Sequence, residues 1–390
     1  MNKTIALIST NHDWGGSELL WSETALHLHN SGNDVIVGVR KWSLPLPSKI
    51  VKLKESVAHF FYDFDSREYI MLEKKSIIKS IINRFLPSSK QFRMTRTRIK
   101  NDLFIFNRIK PDIVVFSLGY QWGIDPLMDF CIKNKIKYLL VFHLVNELEY
   151  IYEKEFQQKI QLIVSSALKN CFVSKNNAEI FEQRIGLSLR NKEIVFNPNN
   201  VLSQSNQLYP LTNPYFHVAC VANIMMLHKA QDILFAIFAK EKWKNRNIIL
   251  HIYGKGIHQQ FLEEWIIREK LENIKIEGYA HDIANIWLKN HALILSSRME
   301  GLPLSLVEAM KMKRMAIITA KGDVSMLVED GVTGFLCQDA NAQLFEETME
   351  RAWQKRDIWE DLGVNAYNKV SKILPENPVE QFAKIVESFI

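Results

Sequence analysis

No window of the sequence approaches the run of about 20 apolar residues that a membrane-crossing helix needs, although 47% of its 390 residues are hydrophobic. A spanning helix is therefore not expected, and the chain reads as soluble or peripheral. A secretory leader is not expected either. Met1-Asn2-Lys3-Thr4-Ile5-Ala6-Leu7-Ile8-Ser9-Thr10 carries one positive charge and too short an apolar stretch, and it reads as a first strand entering a polar loop. Cysteine is scarce: Cys131, Cys171, Cys220 and Cys337 lie far apart, each in or beside an apolar run, which points to buried thiols in a reducing cytosol. The eleven histidines form no His-Glu-x-x-His, and neither metal nor cofactor is expected. No Gly-x-Gly-x-x-Gly follows the first strand, which argues against a dinucleotide dehydrogenase. Acids are nearly missing from one stretch. Between Lys74 and Lys110 eleven basic residues face a single acid, Asp102, so the formal net charge of +6 is concentrated there.

What is present is an alternation of strand-like and helical runs. The chain exceeds the length at which single cores stop growing, which predicts two domains. Strands are expected at Ile5 to Ser9, Val35 to Val39, Ile113 to Phe116, Tyr138 to Phe142, Lys169 to Val173 and Ile194 to Phe196, then at Phe216 to Val221, Ile248 to Tyr253, Ile274 to Ile276, Ala292 to Leu295 and Ala316 to Thr319. This is the α/β pattern with parallel sheets. The Asn-, Ser- and Pro-rich stretch from Asn197 to Pro214 divides the two sets as a linker. The expected domains are residues 1–197 and 215–373, joined by 198–214, with a terminal helix in 374–390.

The strongest functional signal is Glu300-Gly301-Leu302-Pro303-Leu304-Ser305-Leu306-Val307-Glu308, which follows the apolar strand Ala292-Leu293-Ile294-Leu295. Pro303 suits the first turn of a helix, and the spacing from Leu304 to Met315 predicts one. Backbone N–H groups at Leu302, Leu304 and Ser305 would then point out of the helix start, where unpaired donors and the positive dipole end suit a phosphate. Glu300 at the mouth of an anion site is electrostatically odd unless it meets a neutral, hydroxyl-rich part of the same ligand, as a sugar beside a diphosphate would supply. Glu308, two turns in, is placed to reach a second diol such as a ribose. For two glutamates in arbitrary context, a helix-start carboxylate and a solvated helix residue are the ordinary explanation.

The context is not arbitrary. Gly278-Tyr279-Ala280-His281-Asp282-Ile283, Ser296-Ser297-Arg298-Met299-Glu300-Gly301-Leu302-Pro303, Glu308-Ala309-Met310 and Val328-Glu329-Asp330-Gly331-Val332-Thr333-Gly334-Phe335-Leu336 occur in an order that resembles the C-terminal signature of the retaining family-4 glycosyltransferases (glycosyl transferases group 1). The resemblance implies the GT-B fold, two Rossmann-like domains facing across a cleft, with the ligand loops at the strands' C-terminal ends. It also implies that the last helix crosses back to the first domain. In the first half, Trp14-Gly15-Gly16-Ser17-Glu18 resembles the family's first-domain loop; paired glycines permit positive φ and close approach to a ligand, and Ser17 is a candidate cap for the following helix. His143, after the strand Tyr138 to Phe142, matches a histidine that contacts the donor sugar. In the second half Lys229 resembles the lysine that holds the donor diphosphate, Gly254 and Gly256 flank Lys255 in a loop near the nucleotide, and Ala280 lies in the loop that packs by the base. Two departures stand out: Ala222-Asn223 replaces the usual Gly-Arg pair, and Ala230 stands where glycine is common.

The resemblance thus implies transfer of a hexose-type sugar from a nucleotide diphosphate to an acceptor hydroxyl with retention, without metal or other cofactor, in the synthesis of bacterial cell-surface polysaccharide, lipopolysaccharide or glycolipid. Glu300, His143 and Lys229 are the expected catalytic residues, and Gly15, Gly16, Asn223, Lys229, Gly254, Gly256, Ala280, Glu300, Gly301, Leu302, Leu304, Ser305 and Glu308 the expected donor contacts. Arg93, Arg96 and Lys100 recur at helical spacing, with Phe92, Ile99, Leu103 and Phe106 nearby and His59-Phe60-Phe61-Tyr62 beside them. That combination suits a surface helix on anionic lipid, hence a cytoplasmic enzyme peripheral to the inner face of the plasma membrane, acting on a carbohydrate or lipid-linked acceptor. Two rivals remain: a GT-B nucleotide-sugar epimerase, and a basic module that binds membrane or nucleic acid. The basic run lacks regular aromatic interleaving and any recognition motif, which disfavours nucleic acid.

Overall fold

The computed structural model describes residues 3–11, 14–40, 46–57, 59–62, 109–123, 126–201, 209–211 and 214–390. They divide into two compact units, one within Met1–Val173, Ala178–Asn197 and Asn377–Ile390, the other within Ser174–Asn177 and Pro198–Glu376.

The first unit is built on a parallel sheet of order β3-β2-β1-β4-β5-β6-β7. Its strands are β1 (Thr4–Ser9), β2 (Asp34–Val39), β3 (His59–Tyr62), β4 (Ile113–Leu118), β5 (Lys137–Phe142), β6 (Lys169–Phe172) and β7 (Lys192–Ile194). In β1, Ile5 and Leu7 enter one core with Val37, Val115 and the Leu20, Trp21 and Leu28 side chains of the helix Glu18–Asn30. Ala6 and Ile8 enter the other with Val114, Phe116, Leu140 and Phe142. Both faces are covered, so these strands read as unbroken apolar runs rather than alternating ones. The last helix, Pro378–Glu387, starts with proline in its first turn and with the Asn377 carboxamide oxygen accepting from the Glu380 N–H at 3.1 Å. Its Phe382, Ala383 and Val386 join the core that holds Leu20 and Trp21.

The second unit holds a six-stranded parallel sheet of order β10-β9-β8-β11-β12-β13, formed by β8 (Phe216–Val221), β9 (Ile248–Tyr253), β10 (Ile274–Gly278), β11 (Ala292–Leu295), β12 (Met315–Thr319) and β13 (Gly334–Cys337). Because all its pairings are parallel, the loops that follow the strands gather at one edge.

Three expectations change. The aromatic run His59–Tyr62 is an edge strand, with Phe60 packed against one core and Phe61 against the other. The helix expected to run from Leu304 to Met315 stops at Lys311, and Met315 opens β12. Lys313 takes φ 57°, its N–H donates to the Met310 carbonyl at 3.1 Å, and the Arg314 N–H donates to the Ala309 carbonyl at 2.8 Å, the paired bonds that close a helix C-terminus. The buried Arg314 guanidinium then satisfies the carbonyls of Trp287, Asn290 and Met312. Finally β7 lies two residues earlier than expected, because its register follows Asn170 opposite Lys192.

Candidate functional site

The loops after β8, β9, β11 and β12 build one group of candidate residues. Pro303 has φ −60° and ψ 124°, so it precedes the helix Leu304–Lys311 rather than occupying its first turn, and Glu308 lies one turn in rather than two. The N–H groups of Leu306 and Val307 donate to the Pro303 carbonyl at 3.1 and 3.3 Å. Those of Leu304 and Ser305 belong to the opening turn, where the helix offers no internal acceptor. Glu300 is buried, and its Oε1 accepts from Lys229 Nζ at 2.7 Å. The contact sets a cation against the Glu300 carboxylate. Glu308 is also buried, and its Oε1 accepts from Asn200 Nδ2 at 3.1 Å and from the Asn200 N–H at 3.4 Å.

The Lys229–Glu300 contact is built from both sides. The His228 carbonyl accepts the N–H groups of Arg298 (2.8 Å) and Met299 (3.3 Å), and the Arg298 guanidinium grips Asp232 through two bonds of 2.8 and 2.7 Å and the Met226 carbonyl at 2.6 Å. A bidentate guanidinium–carboxylate fork fixes orientation as well as distance. On the other side the Gly301 carbonyl accepts the Asp323 N–H at 2.8 Å, and a Cβ at Gly322, φ +61°, would stand 2.0 Å from that carbonyl oxygen. Sequence reasoning assigned no role to Arg298, Asp232, Gly322 or Asn200; the one available signal was that Arg298 lies two residues before Glu300. Ala230 takes φ 50° in the left-handed region, which explains why glycine suits that position.

Gly254 earns its place by close approach, since a Cβ there would meet the Ala222 carbonyl oxygen at 2.0 Å; at Gly256 the Ile224 carbonyl oxygen would lie 2.2 Å away. The Ile224 N–H donates to the Lys255 carbonyl at 2.9 Å, so these glycines dock the β9 loop on the β8 loop that carries the exposed Asn223. Ala280 lines a cavity of about 630 Å³ with Tyr253, Tyr279, His217, His251 and Glu277. There His217 Nδ1 lies 2.8 Å from His251 Nε2, and His251 Nδ1 2.7 Å from Glu277, an arrangement not foreseen from the sequence.

In the first unit, His143 follows β5 and the Gly15–Gly16 turn follows β1, two strands that flank β4. His143 Nε2 lies 3.0 Å from the Ser117 hydroxyl, while its buried Nδ1 has no hydrogen-bond partner among the described residues. Burial pushes the imidazole down to about 4, so the ring is neutral at physiological pH with one nitrogen uncommitted. For a base with a depressed pKa, the unfolded chain takes up the proton first, and stability is lost as pH falls from 6.5 toward 4. His143→Gln is therefore expected to flatten that decline by roughly 2 kcal/mol, measured by urea unfolding at pH 7 and pH 4.5; an unaltered slope contradicts it. Gly15 does not take a positive φ, and a Cβ there would meet nothing within 4 Å, so backbone geometry does not demand glycine at this position. Ser17 makes no capping bond: its hydroxyl accepts from Asn11 and faces the buried Glu18 carboxylate instead. Arg93, Arg96 and Lys100 lie outside the described residues.

Residues 217–369 match the profile of the family described as Glycosyl transferases group 1. EpsD of Bacillus subtilis strain 168, whose name assigns it provisionally as a glycosyltransferase, is 24% identical over 167 residues, 42% of this chain and 43% of its own. The chain spans about two fifths of the length of the curated relatives it matches. Among solved structures, Alr3699/HepE of Anabaena in complex with UDP-glucose aligns with a TM-score of 0.72 at 16% identity, covering 99% of this chain and 100% of that one. A point mutant of TarM of S. aureus, in complex with Fondaparinux, alpha-GlcNAc-glycerol and UDP, aligns with a TM-score of 0.71 at 13% identity and 99% coverage of both chains.

Proposed function

We propose that the protein, whose residues 217–369 match the glycosyl transferases group 1 family and whose fold is GT-B, with two Rossmann-like domains, transfers a sugar from a nucleoside diphosphate to an acceptor hydroxyl. The observation that carries this reading is the buried Glu300 carboxylate 2.7 Å from Lys229 Nζ, beside the opening turn of the helix Leu304–Lys311. Lys229 and the N–H groups of that turn supply positive potential for a departing diphosphate, and electrostatic stabilisation of this kind is commonly the largest catalytic contribution. Glu300 offers acceptors to sugar hydroxyls, and Glu308 to a ribose. The cavity beside Tyr279 and Ala280 has the volume of a small-ligand site and is assigned to the nucleoside end. His143, within the first unit, has a neutral ring nitrogen able to meet a hydroxyl.

The finer proposal is retention at the anomeric carbon by reaction on one face, with the leaving diphosphate assisting deprotonation of the acceptor, and with a hexose as the sugar. UDP in the solved structures of HepE and TarM makes a UDP-sugar the first donor to try. The acceptor is proposed to belong to cell-surface polysaccharide, lipopolysaccharide or glycolipid, reached from the inner face of the membrane with help from the basic stretch Lys74 to Lys110. No helix among the described residues is long and apolar enough to cross a membrane.

The test is a panel of nucleotide sugars screened by thermal unfolding. Ligand at 100 times its dissociation constant adds about 2.7 kcal/mol to the folded state, and a panel without any shift rejects the donor assignment. The stabilising donor is then incubated with and without acceptors in excess chelator. Transfer that persists supports a metal-free reaction; transfer restored only by magnesium overturns it, and epimer formed from donor alone selects the epimerase.

A further inference from the structure

Lys229 has two claims on it. In the free protein its ammonium neutralises a Glu300 side chain that is only 7% exposed, and the donor reading assigns the same ammonium to a diphosphate. A nucleotide sugar resolves the conflict, because its hydroxyls can donate to Glu300 as Lys229 turns to the phosphates. A bare nucleoside diphosphate cannot. It brings no sugar hydroxyls, carries about one more negative charge on its terminal phosphate near neutral pH, and leaves a buried carboxylate facing an anion with its cation shared away. The Arg298–Asp232 fork and the close approach of Gly322 to Gly301 hold both loops, so the pair resists moving apart to relieve the repulsion.

Resting on that donor reading, we propose that Glu300 discriminates against the spent leaving group: its charge selects nucleoside diphosphates that still carry a sugar and speeds release of the bare diphosphate after transfer. Glu300→Gln keeps the shape and an acceptor for sugar hydroxyls but removes the charge that opposes the diphosphate.

Isothermal titration of UDP, GDP, UDP-glucose and GDP-mannose against wild type, Glu300→Gln and Lys229→Met tests this. Glu300→Gln is expected to bind the nucleoside diphosphate at least tenfold tighter than wild type, and its sugar nucleotide no tighter. Lys229→Met is expected to weaken both, the bare diphosphate more, since the carboxylate then stands uncompensated. This second variant carries the test alone if Glu300→Gln does not fold. Unchanged or weaker diphosphate binding in folded Glu300→Gln, or an unchanged ratio of the two affinities in Lys229→Met, overturns the proposal while the donor site stands. A wild type that binds none of the four probes overturns the donor reading itself, and this proposal with it.

Discussion

Glu300→Gln is expected to reduce sugar transfer by roughly 100-fold or more, the loss that follows removal of a positioning or charge-stabilising group from an active site. The change is isosteric, and Glu300 is only 6% exposed, so packing is retained. What is lost is the carboxylate's strength as an acceptor for sugar hydroxyls, together with its hold on Lys229, 2.7 Å away. If the lost contact operates in the transition state, kcat falls with little change in KM. Near-normal turnover in a folded Glu300→Gln protein would remove Glu300 from the reaction.

Glu18→Ala is expected to give the largest loss of stability, about 3–5 kcal/mol. The Glu18 carboxylate has no exposure and accepts from the Ser9 hydroxyl at 2.8 Å and Trp21 Nε1 at 2.7 Å, with Asn11 Nδ2 also donating to it. Burial raises its pKa while these donors pull it down. Alanine leaves the donors in a pocket that water does not reach, at about 1–3 kcal/mol for each unsatisfied buried group, and adds a cavity. Glu18→Gln retains an acceptor and should lose less than half as much. The measurement is the urea midpoint of each variant; a Glu18→Ala midpoint within the equivalent of about 1 kcal/mol of wild type would show that the donors find other partners. The expected consequence for the turn at Gly15 is collapse, because Asn11 and Ser17 are held through the same carboxylate.

The strands were legible where they are buried on both faces. Ile5 to Ile8 and Ala292 to Leu295 are unbroken apolar runs, and a parallel sheet covered by helices leaves no polar face to interrupt them. The edge strands β3 and β13 were not. His59–Tyr62 resembles any exposed aromatic cluster until its pairing with β2 is known, and Gly334–Cys337 was read for its motif and not as the edge strand β13. The stop of the helix at Lys311 was missed for a similar reason: Arg314 turns inward to meet the Trp287 and Asn290 carbonyls, acceptors supplied by a distant turn.

From the sequence alone come the two α/β halves, the motif around Glu300 and Glu308, and the residue types able to meet a diphosphate and a sugar. These follow from local periodicity and from spacing within single segments, which the chain carries wherever it is placed. Tertiary structure decided that Lys229 neutralises Glu300 across 71 residues, that Asp232 and Arg298 fasten the loops carrying them, and that Asn200 donates to Glu308. The physical reason is the strand order: β8 and β11 are neighbours in the sheet although β9 and β10 lie between them in the chain, and it is this adjacency, set by how whole strands pack, that brings the loop bearing Lys229 to the loop bearing Glu300.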